Sequence, residues 1–490
     1  MNRGAALLCL LLLCCDAGSQ PEDSRRSLQL EPTPSNVSHE RSVLVHMFNW
    51  PFKDVTAELP RLRDAGFSHV LVSPPQLSNG QPWWGRYQPL DYRILYGPLG
   101  TEADFRAMNR VADELGLKIV VDVVLNHMAN LGLAPEHLYY PPENIPDTPA
   151  DLLARHDIRP GSLFQPEHFH SAGCIRNWGN HAEVVRLRLC GPSPDAGLPD
   201  LRTGTLSGGH GPATENWHPE VLAAHREYLK RLMAMGADGF RFDAVKHMPP
   251  AYFRALYADL IPSDFWTYGE VIATSPADYE RDLEPYLRTG LMDFMDFPLA
   301  ATLRDAFQYG GSLTALRDPE QRRRALAGSI AVTFVTNHDV WGNADGLGLR
   351  YSDHTDEMLA HAFILGREAG IPYIYSQRQA ERDVTPNEYV RFHRNDRLRS
   401  MIEFHNRMLG TDFGWLKVDD TLLIFRRGTR GLVLINKSAH QLSGEVDAQG
   451  LSEGDYIAMD NAKQRMSIHN GRLRYTIPPR SYAMLIHALR

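Results

Sequence analysis

Residues 118–127 read KIVVDVVLNH. From Lys118 to Val124 the run is β-branched and apolar without alternation, the pattern of a strand buried on both faces of a parallel sheet. It then runs directly into Asn126 and His127, so the strand delivers polar groups where it ends. Upstream, Thr101–Leu115 predicts a helix that buries Phe105, Met108, Val111 and Leu115, with Gly116 closing it. Before that, HVLVS at His69–Ser73 and SVLVHMF at Ser42–Phe48 predict two more strands. The helical stretch between them shows Val55, Leu59 and Leu62 on one face and carries Pro60, which argues locally against a helix.

Downstream the strand–helix rhythm stops from about Met128 to Glu215, a stretch rich in Pro, Gly, His and Asn. A structureless loop of that length is uncommon in a compact domain, so an inserted subdomain is expected. The rhythm resumes with a helix over His218–Met235 and strands at Gly239–Phe242, Phe265–Gly269, Leu291–Phe294, Ala331–Val335 and Ile371–Tyr375. Helical stretches near 250–260, 277–287, 299–309, 358–367 and 395–408 follow or separate them. Eight strands alternating with helices predict an α/β fold, a (β/α)8 TIM barrel. From about Gly410 short alternating segments between Gly, Asn and Asp turns predict a C-terminal antiparallel β-sandwich. The expected organisation is a barrel over 42–127 and 216–409, an insert over 128–215, and a β-domain over 410–490.

The 490 residues are 43% hydrophobic and 22% charged, which excludes a disordered chain and a disulfide-dense miniprotein. The net charge of −8, with no basic stripe, argues against nucleic acid as a partner. Arg3, an apolar run from Ala5 to Cys15 and small residues up to Ser19 read as a secretory signal over 1–19. A Pro/Ser-rich arm follows over 20–41, and no stretch reaches the length of a membrane span. A secreted protein is expected, or a periplasmic or lipid-anchored one in a bacterium, and a monomer. Cys174 and Cys190 are the two cysteines left beyond that signal; a disulfide is the leading reading and two buried thiols the alternative. Asn36-Val37-Ser38 and Asn436-Lys437-Ser438 match the glycosylation sequon.

In a barrel, catalytic groups project from the C-terminal ends of strands. Here those ends read DVVLNH (122–127), GFRFDAVKH (239–247), YGEV (268–271) and FVTNHD (334–339). One strand-end carboxylate more often caps a turn, but three strands each delivering one, beside Arg and His, point to chemistry. In order and placement these segments resemble the signature regions of the α-amylase superfamily, the family 13 glycoside hydrolases. Leu198-Pro199-Asp200-Leu201 resembles its fifth signature, and the insert and β-domain resemble its domains B and C.

The resemblance implies a retaining double displacement, with Asp243 as nucleophile, Glu270 as general acid/base and Asp339 as the third acid. Arg241, two residues before Asp243 on a strand, shares its face and would keep it ionised. His127 and His338 match the histidines that hold the sugar at the cleaved bond. The segment Trp83-Trp84-Gly85-Arg86-Tyr87-Gln88-Pro89 resembles the aromatic stretch of α-amylases, with Trp83, Trp84, Tyr87 and Gln88 as substrate contacts. Lys246 and His247 match the pair on the leaving-group side. Starch, glycogen or maltooligosaccharides cut at internal α-1,4 bonds are the implied substrates. A transglycosylase on the same scaffold is the nearest alternative, and a non-catalytic glucan-binding protein the alternative of another class. Structural Ca2+ is implied, held by the Asn126 and Asp200 side chains and the carbonyls of Arg188 and His247. Arg241 and Asn337 match two chloride ligands of one subgroup; the third position aligns with Tyr373, so no chloride dependence is expected.

Overall fold

The computed structural model describes residues 42–78, 83–129, 163–171, 173–191, 197–206, 213–214, 216–343, 346–377 and 392–488. The expected signal and arm, with Asn36, lie outside them. Eight strands are observed where the sequence predicts them: β1 (Leu44–Phe48), β2 (His69–Val72), β3 (Lys118–Val123), β4 (Gly239–Phe242), β5 (Trp266–Gly269), β6 (Asp293–Met295), β7 (Ala331–Phe334) and β8 (Ile371–Gln377). They close into an all-parallel barrel in the order β1-β8-β7-β6-β5-β4-β3-β2.

Period-two alternation sorts their side chains. Leu44, Phe48, Leu71, Val120, Trp266, Tyr268, Val332, Phe334 and Tyr373 pack together in one cluster that fills the barrel. Their neighbours in sequence, such as Val45, Val70, Val121, Phe240 and Phe242, pack in a second cluster with the surrounding helices. Those helices are α1 (Phe52–Asp64), α2 (Glu102–Glu114), α3 (Pro219–Ala234), α4 (Pro250–Tyr257), α5 (Phe297–Phe307), α6 (His338–Gly342), α7 (His354–Gly366) and α8 (Asp396–Arg407). Between β5 and β6 two short helices, Pro276–Asp278 and Glu284–Leu287, flank a π-turn over Tyr279–Leu283. A capping box of Thr101 and Asp104 starts α2. The helix α1 runs unbroken through Pro60, against the local sequence signal. Pro60 is exposed, so water can take the carbonyl it leaves free, while Val55, Leu59 and Leu62 anchor the buried face.

Beyond the barrel, β9 (Phe413–Val418), β10 (Leu422–Arg427), β11 (Gly431–Asn436), β12 (Leu442–Asp447), β13 (Gly454–Ala458), β14 (Arg465–His469), β15 (Arg472–Ile477) and β16 (Ser481–His487) form one antiparallel sheet. Its order is β9-β10-β11-β16-β13-β14-β15-β12, around a core of its own that includes Leu422, Leu434, Tyr456 and Leu485. Asn436 is fully buried and its amide donates to the carbonyls of His440 and Pro478, so this sequon is not presented for glycosylation.

The insert after β3 is tied to the barrel by the main-chain bridge of His127 to Asp200 and by Leu201 N donating to the Asn126 carbonyl, and within it Phe169 bridges to Leu201. Cys174 and Cys190 are disulfide-bonded, their Cα atoms 5.7 Å apart. Among the described residues no helix is long and apolar enough to cross a membrane.

Candidate active site

The site starts from one register. In the sheet Arg241 of β4 lies between Asp122 of β3 and Tyr268 of β5, and all three point into the barrel. Arg241 is buried to 1% exposure and its Nη1 donates to both oxygens of Asp122, at 2.8 and 3.0 Å, and to Oδ1 of Asp243 at 2.8 Å. Its Nη2 lies 2.5 Å from Oε1 of Glu270. One guanidinium therefore meets three carboxyl groups from three adjacent strands. Burying one cation with three carboxyl groups is tolerable only where the negative charges are paired with it or removed by protonation.

The turn after β4 places two of them. Ala244 follows Asp243 in the left-handed region, at φ 49°, ψ 40°, which a residue with a Cβ adopts only under constraint. That conformation aims the Ala244 amide at Oε2 of Glu270, 3.2 Å away. The main chain locks the pair further: Glu270 N donates to the Phe242 carbonyl and Val245 N to the Glu270 carbonyl.

The electrostatics follow from burial and crowding. Burial pushes Glu270 up to about 8; Asp339 and Asp243 add to the rise while Arg241 opposes it. Burial likewise raises Asp339 to about 6, with Asp243 adding and Arg241 opposing. Asp122 rises to about 7 for the same first cause. The arrangement thus holds a protonated carboxylic acid at neutral pH beside an Arg-paired carboxylate, the pairing acid–base chemistry needs.

Aromatic groups form one wall. The Tyr87 ring stacks on His338 with centroids 5.0 Å apart and planes 5° apart, and its hydroxyl donates to Oδ2 of Asp122 at 2.8 Å. Phe48 stacks on the same histidine, 5.0 Å between centroids, and Trp83 meets it edge-on at 6.2 Å. Gly342 permits this: a Cβ there would stand 2.2 Å from the Trp83 ring. His338 lies 3.6 Å from Asp339 and is held neutral by burial, its pKa lowered to about 3. The His127 ring bonds the Tyr87 carbonyl at 2.8 Å. Trp84 and Gln88 are half-buried in the same segment.

On the insert's side, the Lys246 ammonium lies 5.4 Å from the Trp178 ring and His247 meets that ring edge-on at 5.9 Å. Trp178 is 45% exposed, unusual for a tryptophan in this chain, and no sequence motif singles it out. Asp122 was also hidden in sequence, as one acid inside an apolar strand. Its register opposite Arg241 is what discloses it.

Asn126 and Asp200 come together beside the insert. Asp200 is 1% exposed, and its Oδ2 takes a 2.6 Å bond from His170. Oδ1 of Asp200 and Oδ1 of Asn126 are both buried and accept no hydrogen bond. Two orphaned hard oxygens fit a Ca2+ ion, which takes oxygen ligands from separate segments. Among the described residues there is no cluster of three or more carboxylate, His or Cys side chains for a metal, and this donor set does not need one. The Arg188 carbonyl lies in the bridge to Cys174, and the His247 ring donates from Nδ1 to the Val184 carbonyl at 3.2 Å. Tyr373 presents a buried hydroxyl 2.6 Å from Nδ1 of His46, not a cation.

Comparison with known proteins agrees with this architecture. A family model described as the α-amylase catalytic domain matches residues 51–142. An α-amylase of Aeromonas hydrophila is 37% identical over 415 residues, 81% of this chain and 85% of its own. An α-amylase of Tenebrio molitor is 28% identical over 81% of this chain and 85% of its own. The crystal structure of α-amylase I from Eisenia fetida superposes with a TM-score of 0.73 at 24% identity, covering 92% of this chain and 98% of that one. A mutant of the same protein was solved as a maltohexaose complex, also with a TM-score of 0.73. The chain belongs to the α-amylase family and is a glycoside hydrolase.

Proposed function

We propose that this glycoside hydrolase is a secreted α-amylase that cuts internal α-1,4 bonds of starch, glycogen and maltooligosaccharides with retention of configuration. The observation that carries this reading is Arg241 spanning Asp243 and Glu270, with Glu270 raised to about 8 and Asp243 ion-paired. Carboxyl groups held on one guanidinium suit the close spacing, about 5 Å, of retaining enzymes.

Asp243, ion-paired with Arg241, attacks the anomeric carbon. Glu270 donates its proton to the leaving oxygen. Once the covalent glycosyl-enzyme has formed, Glu270, now ionised, takes a proton from water, and that water breaks the ester to Asp243. Asp339 and His338 hold sugar hydroxyls and favour the oxocarbenium-like transition state. Tyr87 and Trp83 carry the ring at the cleaved bond, with Trp84, Gln88 and His127 beside them. Lys246 and His247 receive the leaving chain, and Trp178 extends that side as a stacking face. The maltohexaose complex of the Eisenia relative supports a glucan as substrate.

Asn126, Asp200 and the carbonyls of Arg188 and His247 would hold Ca2+, which when bound supplies a cross-link between insert and barrel. Tyr373 in place of a cation supports activity without chloride. The three-part organisation into barrel, insert and β-domain goes with this reading.

The test is reducing-sugar release from soluble starch by the purified protein, with Asp243→Asn as control. Shortened maltooligosaccharides and loss of release in the variant are expected. Lengthened products would make it a transglycosylase, and unchanged release by Asp243→Asn would end the mechanism.

A further inference from the structure

A cavity of about 460 Å³ lies outside the active site, along α5 on the outer side of the barrel. Its apolar lining is of small residues, Pro298, Ala301 and Ala306. Thr274 and Ser275 close one side, and they belong to the same loop that begins with Glu270. The lining also carries three consecutive arginines, Arg322, Arg323 and Arg324, in a chain whose net charge is −8.

The arginine segment is fixed from its backbone. Asp318 and Arg323 both adopt left-handed conformations, at φ 51° and 54°, around the short helix Pro319–Arg322. Arg324 N donates to the Pro319 carbonyl, and the Thr302 hydroxyl donates to the Arg324 carbonyl at 2.9 Å. Leu326 N is held by the buried carboxyl of Asp296. Left-handed residues with a Cβ persist where the surroundings over-determine them.

Charge at the cavity does not cancel. Arg323 is paired with Glu280 and lies 6.0 Å from the Tyr279 ring. The carboxylate in the lining, Asp305, is already engaged by Arg304 at 2.7 Å and by Gln308. Arg322 and Arg324 are exposed, and among the described residues their side chains have no hydrogen-bond or ion-pair partner. The Thr314 hydroxyl stands on the same rim. Two unpaired guanidinium forks on the lining of one cavity, with the Thr314 hydroxyl bonded to Ser312 beside them, offer the donors that phosphate oxygens accept. The volume exceeds what a bare anion fills and falls in the range of small-ligand pockets, about 300–1,000 Å³. Small apolar side chains give a sugar ring a flat face to lie on.

We propose that this cavity is a binding site for a phosphate group, with Arg322 and Arg324 as its ligands and room for the sugar that carries it. The sugar-borne form, a phosphate monoester on a glucan, rests on the glucan reading above; the phosphate contact does not. Binding to the intact protein is measured by phosphorus and proton NMR line broadening with glucose 6-phosphate, inorganic phosphate and glucose as probes. Glucose 6-phosphate is expected to bind saturably, at least tenfold more weakly in Arg322→Ala/Arg324→Ala, with Arg322→Lys/Arg324→Lys between. Hydrolysis of short maltooligosaccharides and the melting temperature should stay unchanged in both variants. Inorganic phosphate binding tenfold more weakly than the sugar phosphate identifies a phosphorylated glucan as the source, and equal binding identifies the free ion. Failure of both to bind, binding unaffected by the alanine pair, or glucose binding as tightly as its phosphate would overturn the site. None of these readouts depends on starch hydrolysis, so the two readings fail separately.

Discussion

At the scale of single residues, the proposed mechanism makes Glu270 the group that decides when the enzyme works. As the proposed general acid it must be protonated before the first step, and burial with the Asp339 and Asp243 charges holds its pKa at about 8. The rate should therefore be sustained through neutral pH and fall as pH rises past about 8, where the proton is lost. Glu270→Gln removes the acid and should lower kcat by about 10²–10⁴-fold. The residual rate should no longer show the alkaline limb. A pH–rate profile of both proteins checks this, and an alkaline limb that survives in the variant would assign it to another group. At this scale the strand-end acids were legible because each closes a short motif, DAVKH or TNHD, with polar neighbours. Asp122 and Trp178 were not. An acid inside KIVVDVV looks like a strand defect until Arg241 is placed opposite, and Trp178 matters only through where the insert puts it.

At the scale of elements, Gly269 shows how a strand end is tuned. A Cβ there would lie 2.9 Å from both the Met292 sulfur and a Val245 methyl, and 3.1 Å from the Phe294 ring. Gly269→Ala must displace the end of β5, which carries Glu270 as its next residue. A shift approaching 1 Å at a reacting group costs about 100-fold in rate, so kcat should fall far more than KM rises. Steady-state kinetics on maltooligosaccharides separate the two. The helix α7 makes a second case. It is buried from Asp356 to Gly366, so its sequence shows no continuous polar stripe and its start at His354 was read four residues late. Within it, Glu357 is buried with Oε1 unpartnered, and burial alone raises it to about 8. Because the folded pKa lies above the unfolded one, this group's stabilising contribution is full below about 4.5 and is lost as pH rises through about 8. Glu357→Gln should melt with the parent at pH 5 and higher than it at pH 9, by about 2 °C or more. Equal melting at pH 9 would show the carboxylate to be solvated.

At the scale of the whole molecule, the barrel was legible because eight short strand-like runs recur with helices between them. What joins the C-terminal sheet to it was less so: Leu423, Phe425, Val433 and Met484 share the apolar core of the barrel helices, and two cations in otherwise ordinary hairpins add polar links to that contact. Arg427, at the end of β10, is 2% exposed and donates to the Gly366 carbonyl at 3.0 Å and the Met408 carbonyl at 2.6 Å. Those carbonyls end α7 and α8. Lys437, just past β11, donates to the carbonyls of Ala306, Gln308 and Gly311 at 2.5, 3.0 and 2.6 Å, beyond the end of α5. Helix C-termini carry unsatisfied carbonyls and a partial negative charge, so a cation from the sheet answers both. The sheet thus caps three barrel helices in addition to packing its apolar face on them. Replacing Arg427 by Met keeps much of its volume but takes its donor from the Gly366 carbonyl, while the Met408 carbonyl keeps Thr411, a loss of about 1–3 kcal/mol. Arg427→Lys, a point donor in place of a fork, should recover part of that. Lys437→Met is half-buried and should cost less. Urea unfolding followed by Trp fluorescence measures each. Arg427→Met as stable as the parent would mean that apolar packing of α7 against the sheet suffices, and that the cations only set its orientation.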